Sequence, residues 1–324
     1  MMKAAVYEKY GPPEVVRVKE IAIPQPKGNE LLIKVYASTV NRTDCGFRSA
    51  EYFVSRFFSG LFKPKFPVLG CEFAGIVEET GTEVTKFKKG DRVFGFNDET
   101  FGGHAEYMVI SENKALATIP DSISYEDAAP ITEGSHYALE SIRAAKVKAG
   151  DTVMVYGATG AIGSAAIQLL KHLGAHVTAV CNTKNVGLIK SLGPDIVIDY
   201  QTEDFTKTDI KFSFIFDAVG KSSFKECKPL LTEKGIYIST ELGKNGENIW
   251  LALTTPLSGG KKVLFPLPGI SQDDVKYLKF LVESGEFRPV IERHYNLDDI
   301  VDAYKYVETG QKTGNIIINI QKKS

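Results

Sequence analysis

Apolar positions in the first 120 residues come in short alternating or β-branched runs: Ala4–Tyr7, Leu31–Ala37, Gly75–Glu79, Arg92–Phe96 and Ala105–Ile110. Gly-Pro, Pro-x-Pro and Lys-Gly-Asp turns separate them, so the spacing predicts strands. From Ser124 the texture changes. Ser124 with Asp127 three residues on marks the start of a short helix. Beyond it the apolar runs Thr152–Tyr156, His176–Cys181, Ile196–Asp199, Phe212–Asp217, Gly235–Ser239 and Lys262–Phe265 alternate with segments of helical spacing. One such segment places Ile162, Ala166, Leu169 and Leu173 on one face and ends at Gly174. Strands alternating with helices predict an α/β, doubly wound parallel sheet, because parallel strands need crossover connections. After a helix over Asp273–Ser284 the chain returns to short strands, Pro289–Tyr295 and Asn315–Ile320, expected to rejoin the first domain and make it discontinuous. The expected domains are therefore 1–122 with 289–324, and 123–288.

The run Val153-Met154-Val155-Tyr156-Gly157-Ala158-Thr159-Gly160-Ala161-Ile162-Gly163 leads from an apolar strand straight into an amphipathic helix. Glycines at that junction permit a tight turn, close approach of backbone to a pyrophosphate and close helix–strand packing, while the helix N-terminus offers N–H groups. Thr159, Gly160, Ala161 and Ile162 are the candidate phosphate contacts; a purely structural turn is the competing reading. A P-loop is excluded, since no Gly-Lys-Ser/Thr follows. The next strand ends Ala179-Val180-Cys181-Asn182-Thr183-Lys184, with no acid to hold a ribose 2′-hydroxyl. Asn182, Thr183 and Lys184 instead suit a 2′-phosphate, so the expected cofactor is NADPH rather than NADH, unless Lys184 is only a solvated helix residue.

Composition narrows the class. A chain of 324 residues suggests two domains, and 43% hydrophobic with 24% charged residues excludes a disordered chain. Thirty-nine basic residues stand against 40 acidic, and no run of like charge exceeds a pair such as Lys88–Lys89 or Lys322–Lys323, so no nucleic-acid partner is expected. No stretch of 18 apolar residues occurs and the first residues lack the apolar core of a secretory signal. Cys45, Cys71, Cys181 and Cys227 stand far apart, which suits free thiols in a reducing compartment. A cytoplasmic protein is the expectation.

Taken together, these residues resemble the medium-chain dehydrogenase/reductase superfamily, in its zinc-independent quinone oxidoreductase branch. The likeness rests on Val40-Asn41-Arg42-Thr43-Asp44, Leu69-Gly70-Cys71-Glu72-Phe73-Ala74-Gly75, Lys89-Gly90-Asp91-Arg92-Val93-Phe94-Gly95 and the glycine turn. Ser191-Leu192-Gly193-Pro194-Asp195, Ile198-Asp199-Tyr200, Phe216-Asp217-Ala218-Val219-Gly220 and Lys312-Thr313-Gly314-Asn315 continue it along nearly the whole chain. The resemblance implies a GroES-like substrate domain at the chain ends, a Rossmann domain between them, an active site in an interdomain cleft, and often a homodimer. Where zinc alcohol dehydrogenases of the superfamily place Cys, His and Cys on catalytic zinc, this chain has Asn41, Cys71 and Thr132, and it lacks the cysteine-rich lobe of a structural zinc. No metal is expected. Tyr200 falls where the resemblance places an aromatic against the cofactor. Leu242 and Phe265 end the fifth and sixth strands, where open α/β sheets bind ligands, and are candidate nicotinamide neighbours, with core packing the alternative for Phe265. Thr132 is a further candidate cofactor contact. His136-Tyr137 replaces a usual small Thr-Ala pair, which narrows the expected nicotinamide pocket, and Asn315 replaces a usual lysine.

Chemistry without a metal favours easy electrophiles. No tyrosine has a lysine four residues on, so neither zinc nor a Tyr-Lys couple is on hand to hold an alkoxide. Quinones and α,β-unsaturated carbonyls spread the incoming charge by conjugation, so a hydride from the cofactor and a solvent proton suffice. Asn41 and Tyr52 are the candidate catalytic contacts to a substrate oxygen, with plain structural roles as the alternative for each. Asp44 and Glu72 read as braces rather than acid/base groups. The aromatic segment 52–62 is open between a lid, a membrane-surface contact and ordinary packing, membrane contact not being expected. Two other functions stay in play: a metal-free alcohol/aldehyde oxidoreductase, and a non-catalytic NADPH-binding sensor.

Overall fold

The computed structural model describes residues 1–50 and 56–321; Tyr52 and the start of the aromatic segment lie outside the described residues. In chain order the strands are β1 (Met2–Val6), β2 (Arg17–Ile21), β3 (Glu30–Thr39), β4 (Glu72–Thr80), β5 (Arg92–Phe96), β6 (Tyr107–Ser111) and β7 (Ala115–Thr118). The central set follows as β8 (Thr152–Tyr156), β9 (His176–Cys181), β10 (Ile196–Asp199), β11 (Phe212–Asp217), β12 (Leu231–Ser239) and β13 (Lys262–Leu264), and the chain closes with β14 (Ile291–Asn296) and β15 (Asn315–Asn319). Two compact units result: residues 1–133, 270–284 and 288–324, and residues 134–269 with 285–287.

The first unit is built on β3. Its sheet runs β14-β15-β3-β4-β5-β7, with β6 also on β3, and β1 pairs with β2 in a separate ribbon. The C-terminal β15 lies antiparallel on β3, Ile317 opposite Thr39, which is the return of the chain end expected from the apolar run. β2 escaped the pattern because its residues Arg17–Ile21 are half-exposed or exposed throughout, with no apolar alternation to mark them. The helix Arg42–Ser49 was also hidden: it carries no apolar stripe and is fixed by a capping box in which Asn41 and Asp44 exchange hydrogen bonds. A helix over Gln272–Glu283, likewise opened by a capping box from Ser271 and Asp274, folds with the first unit. Gln272 donates to the carbonyls of Glu112 and Lys114, and Lys279 donates to Thr118 at the end of β7. Residues 123–133 and 270–284 thus pack with the first unit, whereas the sequence pattern groups them with the central domain.

The second unit is the doubly wound sheet. All six strands are parallel in the order β10-β9-β8-β11-β12-β13. The first strand in sequence, β8, therefore lies between β9 and β11, where the winding reverses and open sheets bind ligands at the strand C-termini. Val153, Met154, Val155, Phe212, Phe214, Ile215 and Phe216 are all buried, as a strand covered on both faces requires. β13 stops at Leu264, so Phe265 lies just past the strand rather than ending it. Among the described residues no helix is long and apolar enough to cross a membrane.

Candidate functional site

At the β8 C-terminus Gly157 takes φ +77°, and a Cβ there would fall 2.4 Å from Val219 Cγ2. A Cβ on Gly163 would fall 2.2 Å from the Gly157 carbonyl oxygen, so the helix Ala161–His172 rests directly on the turn. Gly160 differs. A Cβ there meets nothing closer than 3.9 Å, leaving open space over the backbone. Gly160 is also the N-cap of that helix and makes no side-chain cap hydrogen bond, so the first-turn amides keep their capacity for an anion. Thr159, Gly160, Ala161 and Ile162 lie together on this cradle, and its shape fits a pyrophosphate.

Beside it, β9 ends at Cys181. Asn182 accepts a hydrogen bond from Asn185 Nδ2 at 2.8 Å, and Lys184 is exposed. Thr183 is engaged from the neighbouring strand: its hydroxyl donates to Asp199 Oδ2 at 2.6 Å and its amide to Gln201 Oε1 at 3.1 Å. Asp199 ends β10 in register with Cys181. A carboxylate therefore stands at the end of β9 although none follows β9 in sequence, which corrects the expectation of an acid-free strand end. Only strand register could have shown it. Tyr200 follows and is half-exposed at 49%.

The C-termini of β12 and β13 open a cavity lined by Ser239, Thr240, Phe265, Pro266 and Pro268, closed on the other side by Tyr137, Glu140 and Ser141. Phe265, read from the sequence as a strand-end candidate, lines this space, and so does Tyr137, which stands where the resemblance has a small residue. Leu242 is not among the lining residues; its carbonyl accepts the amide of Asn248.

The first unit buries an unusual polar cluster. Asn41 is 4% exposed and spends its amide inward: Oδ1 accepts from the Asp44 amide, and Nδ2 donates to Cys71 Sγ at 3.0 Å. Cys71 Sγ lies 3.2 Å from Glu133 Oε2, and the Thr43 hydroxyl donates to Glu133 Oε1 at 2.8 Å. Glu72 accepts from the Thr39 hydroxyl, the Thr132 hydroxyl and the amides of Thr132 and Glu133. Thr132 is fully buried and gives both of its donors to that carboxyl. Burial raises the pKa of both Glu72 and Glu133 above the carboxylate range, and for Glu133 the neighbouring Glu72 charge adds to the effect. Burial likewise pushes Asp44 up to about 7, against the lowering effect of the Gly70 and Asn41 amides that donate to it. Asp44 and Glu72, which the sequence reads as braces rather than acid/base groups, are both strongly perturbed by burial. Glu133 went unnoticed because it is a lone acid at a helix start, with no spacing partner in sequence.

At the positions where the resemblance implies zinc thiolates, Asn41 offers an amide and Thr132 a hydroxyl, a donor set poor for zinc. Among the described residues there is no group of three or more His, Cys, Asp or Glu side chains that could hold a metal ion.

Comparison with known proteins agrees with this architecture. Residues 27–121 match the family described as the alcohol dehydrogenase GroES-like domain, and residues 192–318 match the family described as zinc-binding dehydrogenase. The chain is 32% identical to the 2-methylene-furan-3-one reductase of Solanum lycopersicum, over 98% of this chain and 79% of that protein. It is 30% identical to the NADPH-dependent alkenal/one oxidoreductase of Arabidopsis thaliana, named as chloroplastic, with the same shares covered. The solved quinone oxidoreductase of Coxiella burnetii superposes with a TM-score of 0.88 at 27% identity, covering 99% of each chain.

Proposed function

This chain belongs to the quinone oxidoreductase branch of the medium-chain dehydrogenase/reductase superfamily, and from that premise we propose that it is an NADPH-dependent, zinc-independent reductase of quinones and α,β-unsaturated carbonyls. The observation that carries the reading is the Gly157–Gly160 cradle at the reversal point of a six-stranded parallel sheet. Relatives named for enone, alkenal and quinone reduction support the substrate class, and one named for NADPH supports the coenzyme. A bound nicotinamide supplies the hydride.

The chain's own residues bind, orient and exclude water. Backbone amides after Gly160 hold the pyrophosphate, while Thr183, Asn182 and Lys184 serve the adenosine end. Phe265, Pro266 and Tyr137 wall a largely apolar space at the strand ends where a flat ring escapes water. Conjugation in the substrate carries the incoming charge, and solvent supplies the proton. Asn41, with both ends of its amide committed, positions Cys71 and the helix Arg42–Ser49; Tyr52 we keep as the proposed substrate contact on sequence grounds. We assign cofactor binding to the second unit, residues 134–269 with 285–287, and substrate binding to the first. Four buried free thiols fit a cytoplasmic, reducing setting. A homodimer through the β13 edge completes the reading.

The test is NADPH consumption over a panel of quinones, alkenals and matched saturated aldehydes, with and without chelator. Chelator-insensitive turnover of the conjugated compounds alone is expected. Equal turnover of saturated aldehydes would favour the alcohol/aldehyde reading, and tight NADPH binding without turnover would favour a sensor.

A further inference from the structure

The end of β9 carries an arrangement that the cofactor assignment above does not use. In dinucleotide-binding sheets the residue closing the second strand decides between the two coenzymes: a carboxylate there accepts the ribose 2′-hydroxyl and repels a 2′-phosphate. Here that strand is followed by Asn182, Thr183 and Lys184. The acid comes instead from the third strand. Parallel pairing sets Asp199 opposite Cys181, and Asp199 Oδ2 accepts the Thr183 hydroxyl at 2.6 Å. Its other oxygen accepts the Gln201 amide at 3.0 Å, and Gln201 Oε1 returns to accept the Thr183 amide at 3.1 Å. One carboxylate oxygen is thus bonded directly to the segment that would meet the adenosine ribose, and the other is joined to it only through Gln201. The carboxylate's orientation follows from these bonds rather than from a free rotamer.

We propose that Asp199 sets the coenzyme preference of this protein, acting as the ribose-end carboxylate in place of the acid that β9 lacks. Lys184 and Asn182 attract a 2′-phosphate, and Asp199 opposes it. In addition Asp199 draws the Thr183 hydroxyl away from donating to that phosphate. The balance is a shallow preference for NADPH with real use of NADH, rather than strict selection. The inference rests on the nicotinamide reading, and it goes further by naming the residue that limits discrimination.

Calorimetric titration with 2′,5′-ADP and with 5′-AMP, on the wild-type chain and on Asp199→Asn, isolates the adenosine end without any turnover. Asp199→Asn keeps an acceptor for Thr183 and removes the charge. The expected result is a roughly fivefold rise in the ratio of 2′,5′-ADP to 5′-AMP affinity at low salt, shrinking as ionic strength increases. The NADPH:NADH ratio of kcat/KM should move the same way. Asp199→Ser gives a second charge-free variant should Asp199→Asn fail to fold, and the same rise is expected there. An unchanged affinity ratio in the folded variants, with both nucleotides still binding, overturns the proposal for Asp199 alone. Failure of the wild-type chain to bind either nucleotide overturns the nicotinamide reading beneath it.

Discussion

Cys71 and Glu133 form a buried pair: the thiol sulfur lies 3.2 Å from Glu133 Oε2 and donates to it, with the two residues 0% and 4% exposed. A second carboxyl, Glu72, touches the same corner through the Glu133 amide. Two carboxylates so placed cannot both hold charge in a dry site, and the hydrogen bonds decide which one does. Glu72 accepts four donors, two of them backbone amides, and these stabilise its ionised form. Glu133 accepts two side-chain donors and sits in the field of Glu72, so the shared proton belongs on Glu133.

That assignment has a sign in stability. A carboxyl whose pKa is raised on folding binds more protons folded than unfolded, so its contribution is most favourable at low pH. It declines as pH rises from the ordinary carboxylate range through neutrality. Glu133→Gln mimics the protonated state and removes this decline, while Asp44 and Glu72 keep theirs in both proteins. Between about pH 5.5 and 8.5 the wild type should lose about 1–2 kcal/mol more unfolding free energy than the variant. Urea unfolding at several pH values measures it, and parallel pH profiles would show that Glu133 is ionised in the fold.

The thiols should be inert for the same reason. Burial pushes Cys45 and Cys227 up to about 12, Cys181 up to about 11, and Cys71 well above its usual value. The thiolate is the reactive form, so none should label with an alkylating reagent at neutral pH in the native protein, and all four should label in denaturant. Rapid native labelling of any one, read by mass spectrometry, would contradict its burial.

Much of this was legible in sequence where one physical cause acted alone. The central strands β8 and β11 are buried apolar runs, and burial on both faces wrote this into the composition of Val153–Val155 and Phe212–Phe216. The glycine turn was legible because Gly157 and Gly163 answer steric demands no other residue meets. The helix Arg42–Ser49 was not, since a reciprocal cap rather than an apolar stripe holds it. Asp199 and Glu133 were missed for a shared reason. Their partners, Thr183 and Cys71, lie 16 and 62 residues away, and only pairing of strands or burial of a helix start brings them together.

The proposed dimer makes a surface claim. β13 is the last strand of its sheet, and Trp250, Leu253 and Leu257 on the segments just before it are 68%, 65% and 87% exposed. Apolar side chains of that size beside an unpaired strand edge favour a second copy of the chain over water. Leu257→Glu should shift the protein from dimer to monomer in sedimentation velocity with little change in the far-ultraviolet dichroism. A wild-type chain that sediments as a monomer at tens of micromolar would remove the dimer.

Two glycines three residues apart, Gly160 and Gly163, should respond in opposite ways, because only one is a packing position. Gly163→Ala places a methyl group 2.2 Å from the Gly157 oxygen, a contact that side-chain rotation cannot relieve, so the helix must lift from the sheet. A loss of about 2–4 kcal/mol in stability is expected, with nucleotide binding lost as a consequence. Gly160→Ala adds the same methyl group at ordinary contact distance and at φ −70°, a conformation alanine adopts freely. The fold should keep its stability within about 0.5 kcal/mol. The methyl group nevertheless fills the space above the first-turn amides, so NADP⁺ affinity should fall at least tenfold while the melting temperature stays put. Measuring both quantities for both variants separates a turn that merely packs from one shaped to receive a phosphate: if Gly160→Ala binds NADP⁺ as the wild type does, the cradle is structural and the coenzyme assignment fails with it.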